Sequence, residues 1–165
     1  MKPPHRGDAF YAAPMADTPG SSFTVEGQLC FALHSASRAM TGCYRPLLEA
    51  VGLTYSQYTV MLVLWEHGTV TLGRLGEQLY LDSGTLSPLL KRLTAAGLVT
   101  RHRRVEDERS VSIALTDEGR ALRDKAFAIS EEMIGTIGFD TGEFDDLKAK
   151  LRLLTERVST AAPAS

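Results

Sequence analysis

Between Thr71 and Gly97 the leucines fall at three- and four-residue spacing in two short runs: Leu72, Leu75 and Leu79, then Leu86, Leu89, Leu90 and Leu93. Each run is the apolar stripe of a short amphipathic helix. Asp82 and Ser83 with Gly84 break the chain between them. The first helix is therefore expected over Leu72 to Tyr80, capped by Thr71, and the second from about Thr85 to Ala96, stopped by Gly97. Two short helices joined by a tight turn make a helix-turn-helix. Leu98 to Arg104 and Ser110 to Leu115 then alternate as strands do, with Val111, Ile113 and Leu115 on one face of the second, and the polar stretch Val105 to Arg109 joins them as a hairpin loop. This order predicts a mainly α fold with a small β-hairpin, a winged helix-turn-helix.

The 165 residues fit one domain with a tail. Residues 1–22 carry Pro3, Pro4, Pro14 and Pro19, with no helical or strand period, and are expected to form a disordered arm. Residues 23–160 are then a single domain, with its helix-turn-helix and wing at about 54–116. From Phe23 onward, Leu29, Leu33, Ala36, Ala39 and Met40 predict the buried stripe of a long helix that Pro46 should kink or end. Thr54 with Gln57 three residues on is a capping-box pattern opening the apolar run Tyr58 to Trp65, which Gly68 stops. Thr116 caps a last helical region, interrupted by Gly135 and Gly138 before a final helix from about Glu143 to Val158.

Hydrophobic residues at 44% and charged residues at 23% fit a soluble globule. No apolar run reaches the roughly 18 residues a membrane-spanning helix needs, and no secretion leader is visible, so a cytoplasmic protein with no membrane partner is expected. Cys30 and Cys43 are too few for a disulfide scaffold or a cysteine-based zinc cluster, and neither a metal nor a cofactor is expected. The net charge of −2 argues, as an average, against nucleic acid. Its distribution argues the other way. Ser83 to Val105 holds Lys91, Arg92, Arg101, Arg103 and Arg104 and no acid, which leaves −7 for the remainder of a chain whose net charge is −2. An isolated basic cluster is ordinarily a solvated face. This one coincides with the second helix of the turn and the first hairpin strand, the two places from which a winged helix touches DNA.

On that second helix Ser83, Thr85 and Ser87 present hydroxyls to phosphates or base edges, and Lys91 and Arg92 reach the backbone. Pro88 lies early enough to be tolerated, and its ring can meet a thymine methyl group. Asp82, Ser83 and Thr85 can equally serve as helix caps, and both roles are compatible. In the loop, Asp107 can hold the Arg109 guanidinium in place for a minor groove. The bland reading of that loop is a polar turn.

LYLDSGTLSPLLKRL (79–93) followed by GLVTRHRRVEDERSVSIALTDEG (97–119) resembles the helix-turn-helix and wing of the MarR family of bacterial transcription regulators. Asp107 and Arg109 match that family's wing signature. LCFALHSASRAMTGCYRPLL (29–48) and GLTYSQYTVMLVLWEHG (52–68) are similar to its organic-hydroperoxide-sensing branch, often called OhrR. The resemblance covers roughly residues 26–160. It implies a homodimer with interlocking N- and C-terminal dimerisation helices, a repressor of a palindromic double-stranded operator, and half-sites about one DNA turn, 34 to 36 Å, apart. It also implies that the protein is not an enzyme.

Read from the residues alone, Cys30 on an apolar helix face is a small buried hydrophobe, a structural thiol. The resemblance makes it the redox sensor, with organic hydroperoxide as the effector. An unperturbed thiol, with a pKa of about 8.5, is only a few per cent thiolate at neutral pH, so donors to the sulfur are needed. The resemblance supplies them as Tyr44 and Tyr55 of the partner subunit. Taken singly, either tyrosine packs with its hydroxyl at the surface. His34 stands where relatives have tyrosine, either structural or, as imidazolium, lowering the thiol's pKa. Thirteen residues along one helix separate Cys30 from Cys43 by about 20 Å and about 220°, so a same-chain disulfide needs the helix to break. Capture of oxidised Cys30 by a small cellular thiol, or over-oxidation, is expected instead. The competing readings are a MarR-type repressor released by a small phenolic or apolar ligand, and a thiol peroxidase.

Overall fold

The computed structural model describes residues 24–103 and 111–161. The chain divides into two units, Met1–Gly42 and Cys43–Ser165. In chain order the elements are α1 (Leu29–Glu49), α2 (Tyr55–His67), β1 (Val70–Thr71), α3 (Leu72–Leu79), α4 (Ser83–Ala95), β2 (Val99–Arg103), β3 (Val111–Leu115), α5 (Asp117–Ala121), α6 (Arg123–Ile137) and α7 (Thr141–Ala161). The expected arm 1–22 and the hairpin tip, with Asp107 and Arg109, lie outside the described residues.

In the first unit the predicted stripe forms a helix face, but it is not buried. Leu29 is 60% exposed and Met40 41% exposed, and Ala36 and Ala39 are exposed as well. The periodicity identifies an apolar face correctly; among the described residues that face is left exposed.

In the second unit, α1 runs through Pro46 and ends three residues later at Glu49. A proline this late forfeits one intrahelical donor and leaves the last turn free to form. The stop is Gly52. At φ 73° it turns the backbone left-handed, so that its own N–H reaches Glu49 O at 3.1 Å and the N–H of Leu53 reaches Leu48 O at 3.0 Å. Leu48 and Leu53 both enter the core. Thr54 then opens α2 through the predicted box: its Oγ1 accepts the Gln57 N–H, and its N–H donates to Gln57 Oε1 at 2.8 Å.

The core is built by α2, α3, α4 and β3, from Val60, Met61, Leu64, Leu75, Leu86, Leu90, Leu93 and Ile113 among others. The sheet has three antiparallel strands, ordered β1-β3-β2. Val70 pairs with Ile113, and Val99 to Arg103 pair with Leu115 to Val111. β1 was invisible to pattern because two residues carry no period. Gly84 does not break the chain but sits in the first turn of α4, after Asp82 as the cap. Gly135 likewise lies within α6, which ends at Gly138, and α7 starts two residues earlier than expected, at Thr141. Glycine disfavours helix interiors by only about 1 kcal/mol, which a packed or capped helix absorbs. Among the described residues, no helix is long and apolar enough to cross a membrane.

Candidate nucleic-acid interface and tyrosine cluster

Asp82 sets the start of α4. Its carboxylate accepts the Thr85 N–H at 2.8 Å and the Thr85 hydroxyl at 2.9 Å, and these bonds hold its pKa below the ordinary carboxylate value. Leu86, Leu90 and Leu93 turn one face of α4 into the core, which leaves Ser83, Thr85, Ser87, Pro88, Lys91 and Arg92 exposed. These are the six sequence candidates on this helix, placed together on its solvent side. Ser87 donates its hydroxyl to Ser83 O at 2.7 Å. With both hydroxyl protons engaged within the chain, Thr85 and Ser87 offer their lone pairs, which suits the exocyclic amino donors of bases better than phosphate oxygens.

The wing is anchored at its base. Thr116 donates its N–H to Leu98 O at 3.1 Å and its hydroxyl to Gly97 O at 2.6 Å, while Oγ1 accepts the Gly119 N–H. Trp65 on α2 donates Nε1–H to Gly119 O at 2.8 Å. The helix-turn-helix, the wing and α5 therefore meet at one junction.

Tyr44 on α1 and Tyr55 at the start of α2 come together with ring centroids 5.3 Å apart. A third ring, Tyr58, lies 5.8 Å from Tyr44 and 6.4 Å from Tyr55, and meets the edge of Trp65 at 6.3 Å. Tyr58 escaped the sequence reading as a partner of the other two, although its place one turn after Tyr55 was the available signal. Burial raises the Tyr44 pKa, and repulsion between its phenolate and those of Tyr58 and Tyr55 raises it further. Burial also raises the Tyr58 pKa, partly offset by a hydrogen bond with Ser130 on α6. In the first unit, Cys30 and His34 lie on α1 and both are exposed, so the residue-only reading of Cys30 as a buried thiol is corrected. Cys43 is exposed too. Among the described residues, no His, Cys, Asp or Glu cluster could hold a metal.

A helix-turn-helix carrying a three-stranded wing, with its basic helix facing solvent, defines a winged-helix DNA-binding regulator. The profile described as Transcriptional regulator SarA/Rot matches residues 43–126. The Organic hydroperoxide resistance transcriptional regulator of Bacillus subtilis (strain 168) is 49% identical over 132 residues, 80% of this chain and 90% of that protein. AbfR of Staphylococcus epidermidis, in its reduced form bound to DNA, is 36% identical with a TM-score of 0.72, over 83% of this chain and 94% of that one. Its disulfide form gives a TM-score of 0.59 at 36% identity, over 83% and 91%. The chain belongs to the MarR family of transcription regulators, in its organic-hydroperoxide-sensing branch. It is a regulator rather than an enzyme.

Proposed function

We propose that the protein is a homodimeric repressor that releases a palindromic operator when organic hydroperoxide oxidises Cys30. The observation that carries this reading is the pairing of Tyr44 with Tyr55 at 5.3 Å, two phenols eleven residues apart in sequence that the resemblance assigns to a thiolate. A phenol stabilises an anion by donating a hydrogen bond without adding charge, which suits a pocket that admits an apolar peroxide. His34, on the same helix face region as Cys30, is a second source of a proton donor.

In the proposed reaction the Cys30 thiolate attacks one peroxide oxygen and the O–O bond breaks. The alkoxide leaves and takes a proton to become the alcohol, and the sulfur becomes a sulfenic acid. A small cellular thiol then displaces the sulfenic oxygen as water and forms a mixed disulfide. Either product removes the anion that the phenols held and adds bulk, which repositions the helices and alters the separation of the two reading heads. The structure of AbfR in a disulfide form supports a sulfur that proceeds beyond sulfenate.

Dimerisation is supported by apolar surface that one chain leaves open. Among its described residues α7 buries none, and Leu147, Leu151 and Val158 repeat along it while 39% to 59% exposed. On α1, Leu29 and Met40 share one face and are 60% and 41% exposed. In the DNA complex α4 enters the major groove through Ser83, Thr85, Ser87, Pro88, Lys91 and Arg92, and Arg109, held by Asp107, reaches a minor groove from the wing.

A gel-shift titration with cumene hydroperoxide on wild type and Cys30→Ser tests the reading. Wild type releases its DNA and the serine variant stays bound; equal release shows that the cysteine is not the sensor. The mass of oxidised Cys30 identifies its fate, with an added thiol marking capture and a loss of two hydrogen atoms marking a disulfide to another cysteine. Release by a phenolic compound without peroxide would instead favour the ligand-binding alternative, for which Tyr58, Trp65, Arg123 and Phe127 line a cleft of about 360 Å³ between α2 and α6.

A further inference from the structure

Five residues in the described structure have positive φ, and four of them are glycines: Gly52, Gly68, Gly97 and Gly138. The fifth is Tyr80, at φ 53° and ψ 40°, in the turn between α3 and α4. The turn closes as the glycine-terminated ones do: the Leu81 N–H reaches Gly76 O at 3.0 Å and the Tyr80 N–H reaches Glu77 O at 3.4 Å. A bulky side chain at this backbone position is strained, where glycine would be free. The turn lies close against α3, since a Cβ added at Gly76 would stand 2.7 Å from Leu81 O.

Packing does not recover that strain. Tyr80 is 65% exposed, and among the described residues its hydroxyl has no hydrogen-bond partner. Strain held at an exposed aromatic residue with an unused donor points outward, to a ligand. The position says which one. Tyr80 stands two residues before Asp82, the cap of the helix that faces DNA, and in a docked helix-turn-helix the first helix crosses the sugar-phosphate backbone while the second enters the groove. The turn between them therefore passes over the groove wall.

We propose that Tyr80 is a DNA-backbone contact, its phenol hydroxyl donating to a phosphate oxygen at the edge of the groove that α4 enters. At 65% exposure the ring stands clear of the core beside the cap of α4. This rests on the DNA-reading role proposed for α4. A neutral donor displaces no counterion, and a phosphate carries no sequence information, so the contact has a signature unlike that of Lys91 or Arg92.

The experiment is fluorescence anisotropy at several salt concentrations, using a duplex that the wild-type protein selects from a random pool and a scrambled duplex of equal length. Tyr80→Phe should weaken both complexes by a similar factor, about tenfold, without changing the slope of log affinity against log salt. Tyr80→Gly should bind at least as weakly while melting about 2 to 4 °C higher, because the strain is relieved. Lys91→Ala/Arg92→Ala, the control, should lose affinity and flatten the salt slope. Tyr80→Phe or Tyr80→Gly binding within twofold of wild type would overturn the tyrosine contact. If the control also binds like wild type, the failure lies with α4 as the reading helix.

Discussion

Gly119→Ala is the substitution for which the structure gives the sharpest expectation. A methyl group there would stand 2.1 Å from Leu98 O and 3.3 Å from Leu115 Cδ2, and the nearer atom is backbone that no rotamer change can move. An ordinary carbon–oxygen contact needs about 3.3 Å, so the two chain segments must part by about 1 Å. Leu98 O is also the acceptor for the Thr116 N–H, and Gly119 O is the acceptor for Trp65 Nε1–H, so the separation strains two hydrogen bonds. Overpacking costs about 1 to 3 kcal/mol and each weakened bond about 1 kcal/mol, which totals about 3 to 5 kcal/mol. For a chain this size that lowers the melting temperature by roughly 6 to 20 °C. Circular dichroism melts at one fixed protein concentration measure it, and Trp65, the single tryptophan, reports the junction locally by fluorescence. A melting temperature within 2 °C of wild type, with unchanged fluorescence, would refute the argument that helix-turn-helix and wing are locked together at this point.

Thr54→Ala removes one half of the capping box and should cost about 1 kcal/mol, seen as a lower urea midpoint at constant m-value. Asp82 has its pKa lowered in the folded chain, so its contribution is complete above the ordinary carboxylate value and disappears as pH falls below it. Melts of wild type and Asp82→Asn should therefore converge on acidification below about pH 4 and differ most near neutrality. Tyr44 and Tyr58 have raised pKa values, so their contribution is whole below the ordinary tyrosine value and is lost as pH rises through the folded one. Ultraviolet titration should show two phenols ionising above the ordinary tyrosine value, and unfolding should bring them back to it.

What could be read from the sequence was local. The Thr54–Gln57 box, the stops at Gly68 and Gly97, and the Thr116 cap each depend on residues within one turn, and all stand as expected. So does the hairpin pairing, because its alternation matches the buried Ile113 and Val99. The misreadings involve non-local influences. Gly84 looked like a break because its neighbour Asp82 was read with it, whereas that carboxylate caps the helix and carries the glycine into its first turn. β1 exists only because β3 lies beside it. The α1 stripe was read as buried since periodicity says that a face will be covered without saying by which chain. The tyrosine cluster joins α1 to α2, so no spacing links Tyr44 to the other two; only the resemblance pointed to Tyr44 and Tyr55, and the i, i+3 spacing of Tyr58 from Tyr55 was the one local signal for the third ring.

That cluster bears on how a thiolate can be sustained over a useful pH range. A cationic imidazolium stabilises sulfur strongly, but an unperturbed imidazole gives up its charge near pH 6.5, before an ordinary thiol ionises near 8.5. A phenol keeps its proton to about pH 10, and Tyr44 keeps it longer, because burial and the neighbouring Tyr58 and Tyr55 rings oppose a phenolate. Packing Tyr44 against Tyr58 and Tyr55 thus keeps its phenol a neutral donor to higher pH. If Tyr44 and Tyr55 serve Cys30, its oxidation rate by cumene hydroperoxide, followed by stopped flow, should climb as the thiolate forms and stay level through pH 9. It should fall only when the phenols ionise. Tyr44→Phe should move the rising limb toward the ordinary thiol value, and Tyr44→Phe/Tyr55→Phe should also abolish the alkaline fall. A Tyr44→Phe profile identical to that of wild type would remove the tyrosine from the supporting role.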